Sequence, residues 1–151
     1  MIEFRQVSKV FDDGTRAVED FTLTLPSHQT TVFVGSSGSG KTSLLRMINR
    51  MVEPTSGQIL IDGEDIAGLN PVQLRRRIGY VIQQVGLLPH LTIGANVATV
   101  PRLLGWERTR TATKVREMLD LVGLPAHTYA QRYPNQLSGG ERQRVAIGRS
   151  I

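Results

Sequence analysis

A glycine-rich segment near the amino terminus carries residue types that could hold a phosphate chain. Residues 35–42, the phosphate loop, have the sequence GSSGSGKT and match the pattern G-x-x-x-x-G-K-[S/T] at every specified position. Such a loop wraps an anion closely, because its backbone N–H groups point inward and its glycines can adopt positive φ. The helix that follows adds partial positive charge at its first turn. The pattern therefore predicts a site for a nucleoside triphosphate.

Side chains in and just after the phosphate loop have separate expected tasks. Lys41 supplies a mobile positive charge that can reach the β- and γ-phosphates, and the Thr42 hydroxyl can ligate Mg²⁺, which prefers oxygen ligands. ATP and Mg²⁺ are therefore the expected ligands, and a flexible loop with a chance Lys-Thr pair is the alternative. The Ser43 hydroxyl can reach the α-phosphate. The candidate nucleotide-binding residues here are Gly35, Ser36, Ser37, Gly38, Ser39, Gly40, Lys41, Thr42 and Ser43.

A second glycine motif, LSGGERQR, occupies residues 137–144. Ser138 and Glu141 have the spacing of a capping box, so Gly139 and Gly140 fall in the first turn of a helix, where N–H groups lack partners. A glycine costs a helix about 1 kcal/mol relative to alanine. An ordinary capped helix start is one interpretation, but the glycine pair favours close approach of an anion or of another backbone.

Hydrophobic periodicity predicts a mixed pattern of strands and helices around the two motifs. Asp62-Gly63 predicts a hairpin turn, and Asn70 predicts a helix N-cap. The predicted strands are residues 2–11, 17–25, 30–34, 58–61 and 78–82, of which the first two form an antiparallel edge hairpin and the third and fifth are buried. The predicted helices are residues 41–52 (ended by Pro54), 71–77, 92–104, 108–122, 125–133 and 138–151.

Composition excludes several classes of protein. The 151 residues contain no cysteine, which excludes disulfides, thiolate metal sites and cysteine catalysis. No apolar run reaches the roughly 18 residues of a membrane span, and the first residues resemble a strand rather than a secretory leader, so we expect a cytoplasmic location. The net charge of +5 combines −3 for residues 1–70 (six basic, nine acidic) with +8 for residues 71–151 (twelve basic, four acidic). Solvated arginines explain the basic half, and no nucleic acid partner is expected because no motif that reads nucleic acid accompanies them.

The spacing of the two motifs bears on how they could share one ligand. Ser138 follows Lys41 by 97 positions, and each motif begins a helix at one end of a predicted helical insertion. One chain is poorly placed to wrap both helix starts around the same phosphate. The simpler arrangement is a pair of chains, each giving its second glycine motif to the nucleotide of the other.

Together, GSSGSGKT and LSGGERQRVAIGRS resemble the ATP-binding cassette (ABC) ATPases, and the resemblance runs along all 151 residues. It implies an α/β fold: a P-loop NTPase of the ABC type, with an antiparallel β subdomain and a helical insertion. By the resemblance, Phe11 stacks on adenine; a core strand position is the alternative. The resemblance also implies that Gln83 contacts Mg²⁺ and the attacking water, which would make it a catalytic residue together with Lys41. Gln84 is the register alternative for Gln83.

The same resemblance implies partners. Ser138, Gly139 and Gly140 contact the nucleotide of a second, identical subunit, and residues 83–96 contact a membrane permease. The stretches QQVGLLPHLTIGANVATVPRLLGW and MINRMVEPTSG are similar to importers of quaternary-amine osmoprotectants such as glycine betaine, choline or carnitine. This implies a peripheral subunit at the cytoplasmic face of the membrane that couples ATP binding and hydrolysis to uptake, with a periplasmic or lipid-anchored solute-binding protein as an indirect partner. His90 is expected to be a loop residue rather than a metal ligand.

The family's chain continues past the second glycine motif, whereas this sequence ends at Ile151. We therefore expect an incomplete nucleotide-binding domain over residues 1–151. Its expected parts are a β subdomain with the phosphate-loop core over about residues 1–85, a helical subdomain over about 86–137 and a signature helix over 138–151. In the family, the Walker B strand, the D-loop and the switch histidine follow the signature helix. We therefore expect residues 1–151 to lack these elements and the general base. ATP binding without competent hydrolysis is the expectation, although the parent protein would be an ATPase.

Four alternatives stay open. An ABC exporter or lipoprotein-release ATPase would share both motifs. An ABC ATPase of DNA repair or chromosome maintenance would carry a longer insertion than the 97 positions between Lys41 and Ser138. An unrelated kinase or GTPase with a phosphate loop would leave LSGGERQR unexplained. The fourth alternative is a non-functional fragment that only binds nucleotide or does not fold.

Overall fold

Four antiparallel strands form one sheet in the computed structural model, which describes residues 1–82 and 86–150. The β1–β2 hairpin and the hairpin turn at Asp62-Gly63 are confirmed. β1 pairs on both of its sides, so only β2 of the first hairpin lies at a sheet edge. The strands are β1 (Ile2–Val10), β2 (Arg16–Leu25), β3 (Ser56–Ile61) and β4 (Glu64–Asp65), in the spatial order β2-β1-β3-β4.

The alternation of β1 is interrupted by a bulge at Gln6, which has a φ of 50°. The buried residue after Phe4 is therefore Val7 rather than Gln6. Gly57 of β3 lies against this bulge with a φ of 85°, and a Cβ there would overlap the Gln6 carbonyl oxygen. The close approach of the two strands at this point therefore requires glycine.

The first helix, α1 (Lys41–Ile48), packs Leu44, Met47 and Ile48 into a core that it shares with the sheet. It ends at Ile48, with Asn49 as its C-cap, because Arg50 has a φ of 53°, a left-handed conformation that stops the helix. The prediction that this helix continues to residue 52 and is ended by Pro54 is therefore wrong. α2 (Pro71–Arg77) begins as predicted, since the Asn70 side chain accepts the N–H groups of Val72 and Gln73.

The second half of the described chain is helical. The predicted helix over residues 92–104 is two helices, because Pro101 has no N–H to donate to the carbonyl four residues earlier. The predicted helix over 125–133 is shorter and ends at Tyr129. The helices are α3 (Ile93–Val97), α4 (Thr99–Leu103), α5 (Arg108–Leu121), α6 (Ala126–Tyr129) and α7 (Gly139–Ser150). Their shared core consists of Ile93, Val97, Met118, Leu119, Leu124, Leu137 and Val145.

The two predicted buried strands, residues 30–34 and 78–82, are wrong. Within the described residues neither segment pairs with a strand. The side chains of Val32 and Val34 are 73% and 90% exposed, and Val81 and Ile82 are exposed too. β-branched residues favour a strand, but a strand needs a neighbour for its backbone groups, and the described part of the chain supplies none here.

The chain divides into two compact units, Met1–Ile78 and Gly79–Ile151. The first unit contains the sheet, the phosphate loop, α1 and α2, and the second contains α3 to α7. The three-part division near residues 85 and 137 stays a prediction. Among the helices of residues 1–82 and 86–150, none combines the length and the hydropathy needed to cross a bilayer.

Candidate functional site

The phosphate loop leads directly into α1. Gly38 and Gly40 have φ values of 83° and 82°, which confirms the predicted positive φ in this loop. Gly40 is the N-cap of α1, where no side chain accepts a hydrogen bond from the helix, and no acidic residue lies in the first turn. The first-turn N–H groups and the positive end of the helix dipole are therefore left for a ligand.

The Lys41 side chain folds back into the phosphate loop. Its Nζ donates to the carbonyl oxygens of Gly35 (2.9 Å) and Ser36 (2.6 Å) and to the Ser39 hydroxyl (2.8 Å). These three acceptors are neutral. A phosphate oxygen entering the loop would give the ammonium a charged acceptor, and such a hydrogen bond is roughly twice as strong.

The phosphate loop is held against the start of β2. A Cβ at Gly40 would overlap the Ala17 carbonyl oxygen and would lie 3.3 Å from a methyl group of Val18. Phe11 lies in the turn between β1 and β2, where its N–H donates to the Thr15 carbonyl at 2.9 Å. The same hairpin thus carries both the contact with the loop and the Phe11 ring.

The Phe11 ring lies outside the core. It is 37% exposed, and its strand ends one residue earlier, at Val10. The Lys9 Nζ lies 5.2 Å from the ring centroid, a cation–π distance. The alternative interpretation of Phe11 as a core strand residue is therefore wrong, whereas its stacking on adenine stays a prediction.

The second glycine motif begins α7 with the predicted capping box, which is confirmed. The Ser138 N–H donates to Oε2 of Glu141 at 2.7 Å, and the Glu141 N–H donates to the Ser138 hydroxyl oxygen at 3.3 Å. The Tyr129 hydroxyl donates to the other carboxylate oxygen, Oε1, at 2.7 Å. The hydrogen bond from Tyr129, followed by those from Ser138, lowers the pKa of Glu141 to about 2.

No packing contact with the described chain requires glycine at positions 139 and 140. A Cβ at either position would meet no described heavy atom within 4 Å, and neither has a positive φ. Gly148 of the same helix differs, because a Cβ there would lie 3.2 Å from the Met118 carbonyl oxygen of α5. Packing within the described residues therefore explains Gly148 but not the glycine pair.

Gln83 and its register alternative Gln84 lie outside the described residues, so their positions stay predictions. The loop that follows is held by Asn96, which is fully buried. Its Oδ1 accepts the Leu88 N–H at 2.8 Å, and its Nδ2 donates to three carbonyl oxygens of the same loop at 3.0–3.1 Å. His90 lies exposed in a turn of this loop, as predicted.

The carboxy-terminal end of α7 contacts the chain before and after residues 83–85. Arg149 donates to the Gly86 carbonyl at 2.7 Å, and burial lowers the pKa of its guanidinium. A Cβ at Gly79 would overlap the Ser150 carbonyl oxygen. Sequence patterns did not identify Tyr129, Asn96 or Arg149, because each acts through a contact between segments that no local spacing marks.

The donor set of the phosphate loop fits Mg²⁺ held together with phosphates. Thr42 is exposed in the first turn of α1. Mg²⁺ at such sites takes one or two protein oxygens, phosphate oxygens and water. In residues 1–82 and 86–150 no group of three or more His, Asp or Glu side chains could hold a metal ion. The role of Thr42 as a Mg²⁺ ligand stays a prediction.

An open cleft lies on the second unit, among helices α3 to α6. The Thr111 hydroxyl at its wall is buried and makes no hydrogen bond within the described chain. Arg102, Arg108 and Arg116 line the same cleft, together with Trp106. The lining also includes Asp120, and the Arg110 guanidinium lies over one face of the Trp106 ring, 3.8 Å from its centroid.

Comparison with known proteins identifies the class. The family model for the ABC transporter matches residues 18–151, and the chain belongs to this family. A dimeric structure of a post-hydrolysis state of the ATP-binding cassette MJ0796 bound to ADP and Pi matches with a TM-score of 0.86 and 31% sequence identity. The match covers 100% of this chain and 69% of that one. The predicted α/β fold of an ABC cassette ATPase is confirmed.

Within the family, the resemblance to the osmoprotectant importer group is confirmed. The glycine betaine/carnitine/choline transport ATP-binding protein OpuCA of Bacillus subtilis (strain 168) is 47% identical over 151 residues. The osmoprotectant import ATP-binding protein OsmV of Salmonella typhimurium is 43% identical over 155 residues. Both matches cover 100% of this chain, which spans 40% and 41% of the lengths of these two relatives.

Proposed function

We propose that this chain is the nucleotide-binding part of an ATPase subunit that drives an ABC importer for a quaternary-amine osmoprotectant. The observation that carries the proposal is the phosphate loop. The Lys41 ammonium lies among three loop oxygens, directly before a helix whose first turn has neither a side-chain cap nor an acidic residue. This arrangement offers one positive charge and several N–H donors to the phosphates of ATP.

Each residue at this site has one proposed task. Lys41 binds the β- and γ-phosphates, the Thr42 hydroxyl holds Mg²⁺, and the Ser43 hydroxyl contacts the α-phosphate. Phe11 stacks on adenine, for which its exposed ring is suited. Mg²⁺ neutralises phosphate charge when bound. Gln83 is proposed to contact the Mg²⁺ and the attacking water, a role that rests on the family resemblance alone.

The second glycine motif is proposed to contact the nucleotide of a second, identical subunit. Ser138, Gly139 and Gly140 are exposed, and nothing in the described chain lies where side chains at the two glycines would be. The helix start can therefore be approached closely from outside, as a γ-phosphate would require. Each of two subunits would then bind one ATP with its phosphate loop and complete the site of the other.

A membrane permease is the proposed partner of residues 83–96. The loop after residue 85 is fixed by the buried Asn96 and presents an exposed turn that includes His90. The basic cleft among α3 to α6 adjoins this loop at Thr92 and could extend the contact. The subunit would thus lie at the cytoplasmic face of the membrane, with a solute-binding protein acting on the other side.

The names of the relatives support glycine betaine, choline or carnitine as the solute class, because OpuCA and OsmV are named for such transport. Substrate choice would be made by the permease and the solute-binding protein rather than by these residues. By the family resemblance, the general base for hydrolysis lies outside residues 1–151. These residues by themselves are therefore proposed to bind ATP without competent hydrolysis.

The test is transport by the full-length protein reconstituted in vesicles with its permease and solute-binding protein. We expect ATP-dependent uptake of radiolabelled glycine betaine, choline or carnitine. Uptake should be lost in Lys41→Ala and kept in Lys114→Ala, which replaces a lysine of α5 that belongs to neither motif. ATP-dependent transport in the opposite direction would favour an exporter, and absence of uptake with all three solutes would refute the importer class.

A further inference from the structure

The capping box of α7 is tied to α6 by one side chain that neither motif contains. Tyr129 is the last residue of α6, and its hydroxyl donates to Oε1 of Glu141 at 2.7 Å. The other oxygen of this carboxylate accepts the Ser138 N–H at 2.7 Å. Both carboxylate oxygens are therefore occupied, and the carboxylate is held in one orientation.

This orientation matters because a carboxylate lies beside a helix start that is proposed to bind phosphate. The Ser138 hydroxyl oxygen accepts the Glu141 N–H, so the hydroxyl hydrogen stays available to donate to an incoming anion. Gly139 and Gly140 lie in the first turn of α7, where N–H groups lack partners within the helix, and a Cβ at either would meet no described heavy atom within 4 Å. A carboxylate free to rotate could accept from these same donors and would repel a phosphate.

The Tyr129 ring is itself fixed on several sides. It packs against the core of the second unit, and the guanidinium of Arg132 lies 4.6 Å from its centroid. The chain around it is bound to the start of α3, since the Gly94 N–H donates to the Ala130 carbonyl at 2.9 Å. The hydroxyl of Tyr129 is thus a placed donor rather than a mobile one.

We propose that Tyr129 is a positioning residue for the second glycine motif: its hydroxyl holds the Glu141 carboxylate in the capping box and keeps it away from the donors that face the partner's ATP. The inference rests on the proposed two-subunit site. Tyr129 lies outside both glycine motifs, and its hydroxyl donates to Glu141, so it would act through that carboxylate. Removing its hydroxyl should weaken the contact between subunits and should leave the phosphate loop unaffected.

The experiment measures ATP-dependent dimerisation of the full-length protein by sedimentation, together with binding of a fluorescent ATP analogue to the monomer. Tyr129→Phe retains the ring and its packing, and it should weaken dimerisation about tenfold, the usual effect of a hydrogen bond to a charged group. Monomer nucleotide affinity should not change. Tyr133→Phe is the matched control, because Tyr133 is exposed and takes no part in the hydrogen bonds that link Tyr129, Glu141 and Ser138.

A double variant distinguishes an effect of the Glu141 charge from a general loss of structural support. In Tyr129→Phe combined with Glu141→Gln, the neutral amide cannot repel a phosphate, so dimerisation should return to within about threefold of Glu141→Gln alone. Unchanged dimerisation in Tyr129→Phe, or no rescue in the double variant, would overturn the role of Tyr129 while leaving the two-subunit site intact. Failure of the wild type to dimerise with ATP, with nucleotide still bound, would overturn both.

Discussion

Gly40 lies directly against the carbonyl oxygen of Ala17, so that the last glycine of the phosphate loop and the start of β2 are in backbone contact. Gly38, two residues earlier, has nearly the same positive φ but faces open space. The two glycines therefore serve different purposes. At Gly38 only the backbone conformation requires glycine, whereas at Gly40 both the conformation and the contact require it.

Alanine substitutions at these two glycines should differ in cost. Gly38→Ala should lower the free energy of unfolding by about 1 kcal/mol, the cost of a left-handed conformation for a residue with a Cβ. Gly40→Ala adds a steric overlap with the Ala17 carbonyl and should cost about 3 kcal/mol or more. Urea unfolding of the full-length protein measures both. Equal losses would show that the Gly40–Ala17 contact does not constrain the loop.

In the glycine pair of α7, unlike in the phosphate loop, alanine should stabilise the fold. Gly140→Ala meets no atom of the described chain and has no positive φ, so it should raise the free energy of unfolding by about 0.5–1 kcal/mol. The same variant should weaken ATP-dependent dimerisation, and Gly139→Asp, which adds both bulk and negative charge, should abolish it. Sedimentation and thermal unfolding measured in parallel test this. Normal dimerisation of Gly139→Asp would refute the two-subunit site.

Phe11 and Phe4 form a matched pair for testing the adenine contact. Phe4 is 1% exposed, so Phe4→Ala should lower the free energy of unfolding by about 3–5 kcal/mol. Phe11 is 37% exposed, and Phe11→Ala should cost about 0.5 kcal/mol or less while weakening ATP binding about three- to tenfold through lost stacking. Isothermal titration with ATP is the measurement. Unchanged affinity in Phe11→Ala would exclude the ring from the adenine site.

Lys41→Ala should reduce ATP affinity on the order of 100-fold, because it removes the one charged residue of the phosphate-loop sequence GSSGSGKT. Stability should change little, since the three hydrogen bonds of the ammonium go to exposed loop oxygens. Binding of a fluorescent ATP analogue checks the prediction, with Lys114→Ala as the control. Equal affinities of the two variants would place the phosphates elsewhere.

The lowered pKa of Glu141 leads us to expect that the protein loses stability in acid. The hydrogen bonds from Tyr129 and Ser138 lower its pKa from 4.5 to about 2 in the folded protein. A lowered pKa means that the ionised carboxylate stabilises the fold fully above pH 4.5 and that this contribution is lost as the pH falls towards 2. Glu141→Gln removes the titrating group, so its thermal midpoint should fall less than that of the wild type over this pH range. Parallel midpoints for the two proteins would contradict the assignment.

Sequence patterns correctly predicted the turns and helix caps that depend only on residues close together in the sequence. The Asp62-Gly63 turn, the Asn70 cap and the Ser138–Glu141 capping box each depend on residues within a few positions of one another, and all three are confirmed. The strands predicted at residues 30–34 and 78–82 required a partner strand, which no local pattern specifies. Their β-branched residues indicate a preference, but without a neighbour in the described chain they form no sheet.

The residues of the candidate site also divide into those that sequence spacing could identify and those that it could not. The phosphate loop was predictable because one contiguous segment supplies its lysine, its glycines and its helix start. Tyr129, Asn96 and Arg149 were not predictable, because their roles depend on contacts with Glu141, Leu88 and Gly86 that form only when the helices pack. Sequence spacing identifies a motif but does not identify the side chains that orient it.

Helix α7 joins the second glycine motif to the chain segment that follows residue 85. Its capped start at Ser138 is exposed, and in its last turn Arg149 donates a hydrogen bond to the Gly86 carbonyl. Its 12 residues span about 18 Å, so a tilt of about 5° around one end would displace the other by about 1.5 Å. If the helix tilts as a rigid body, a displacement at one end is therefore accompanied by a displacement at the other.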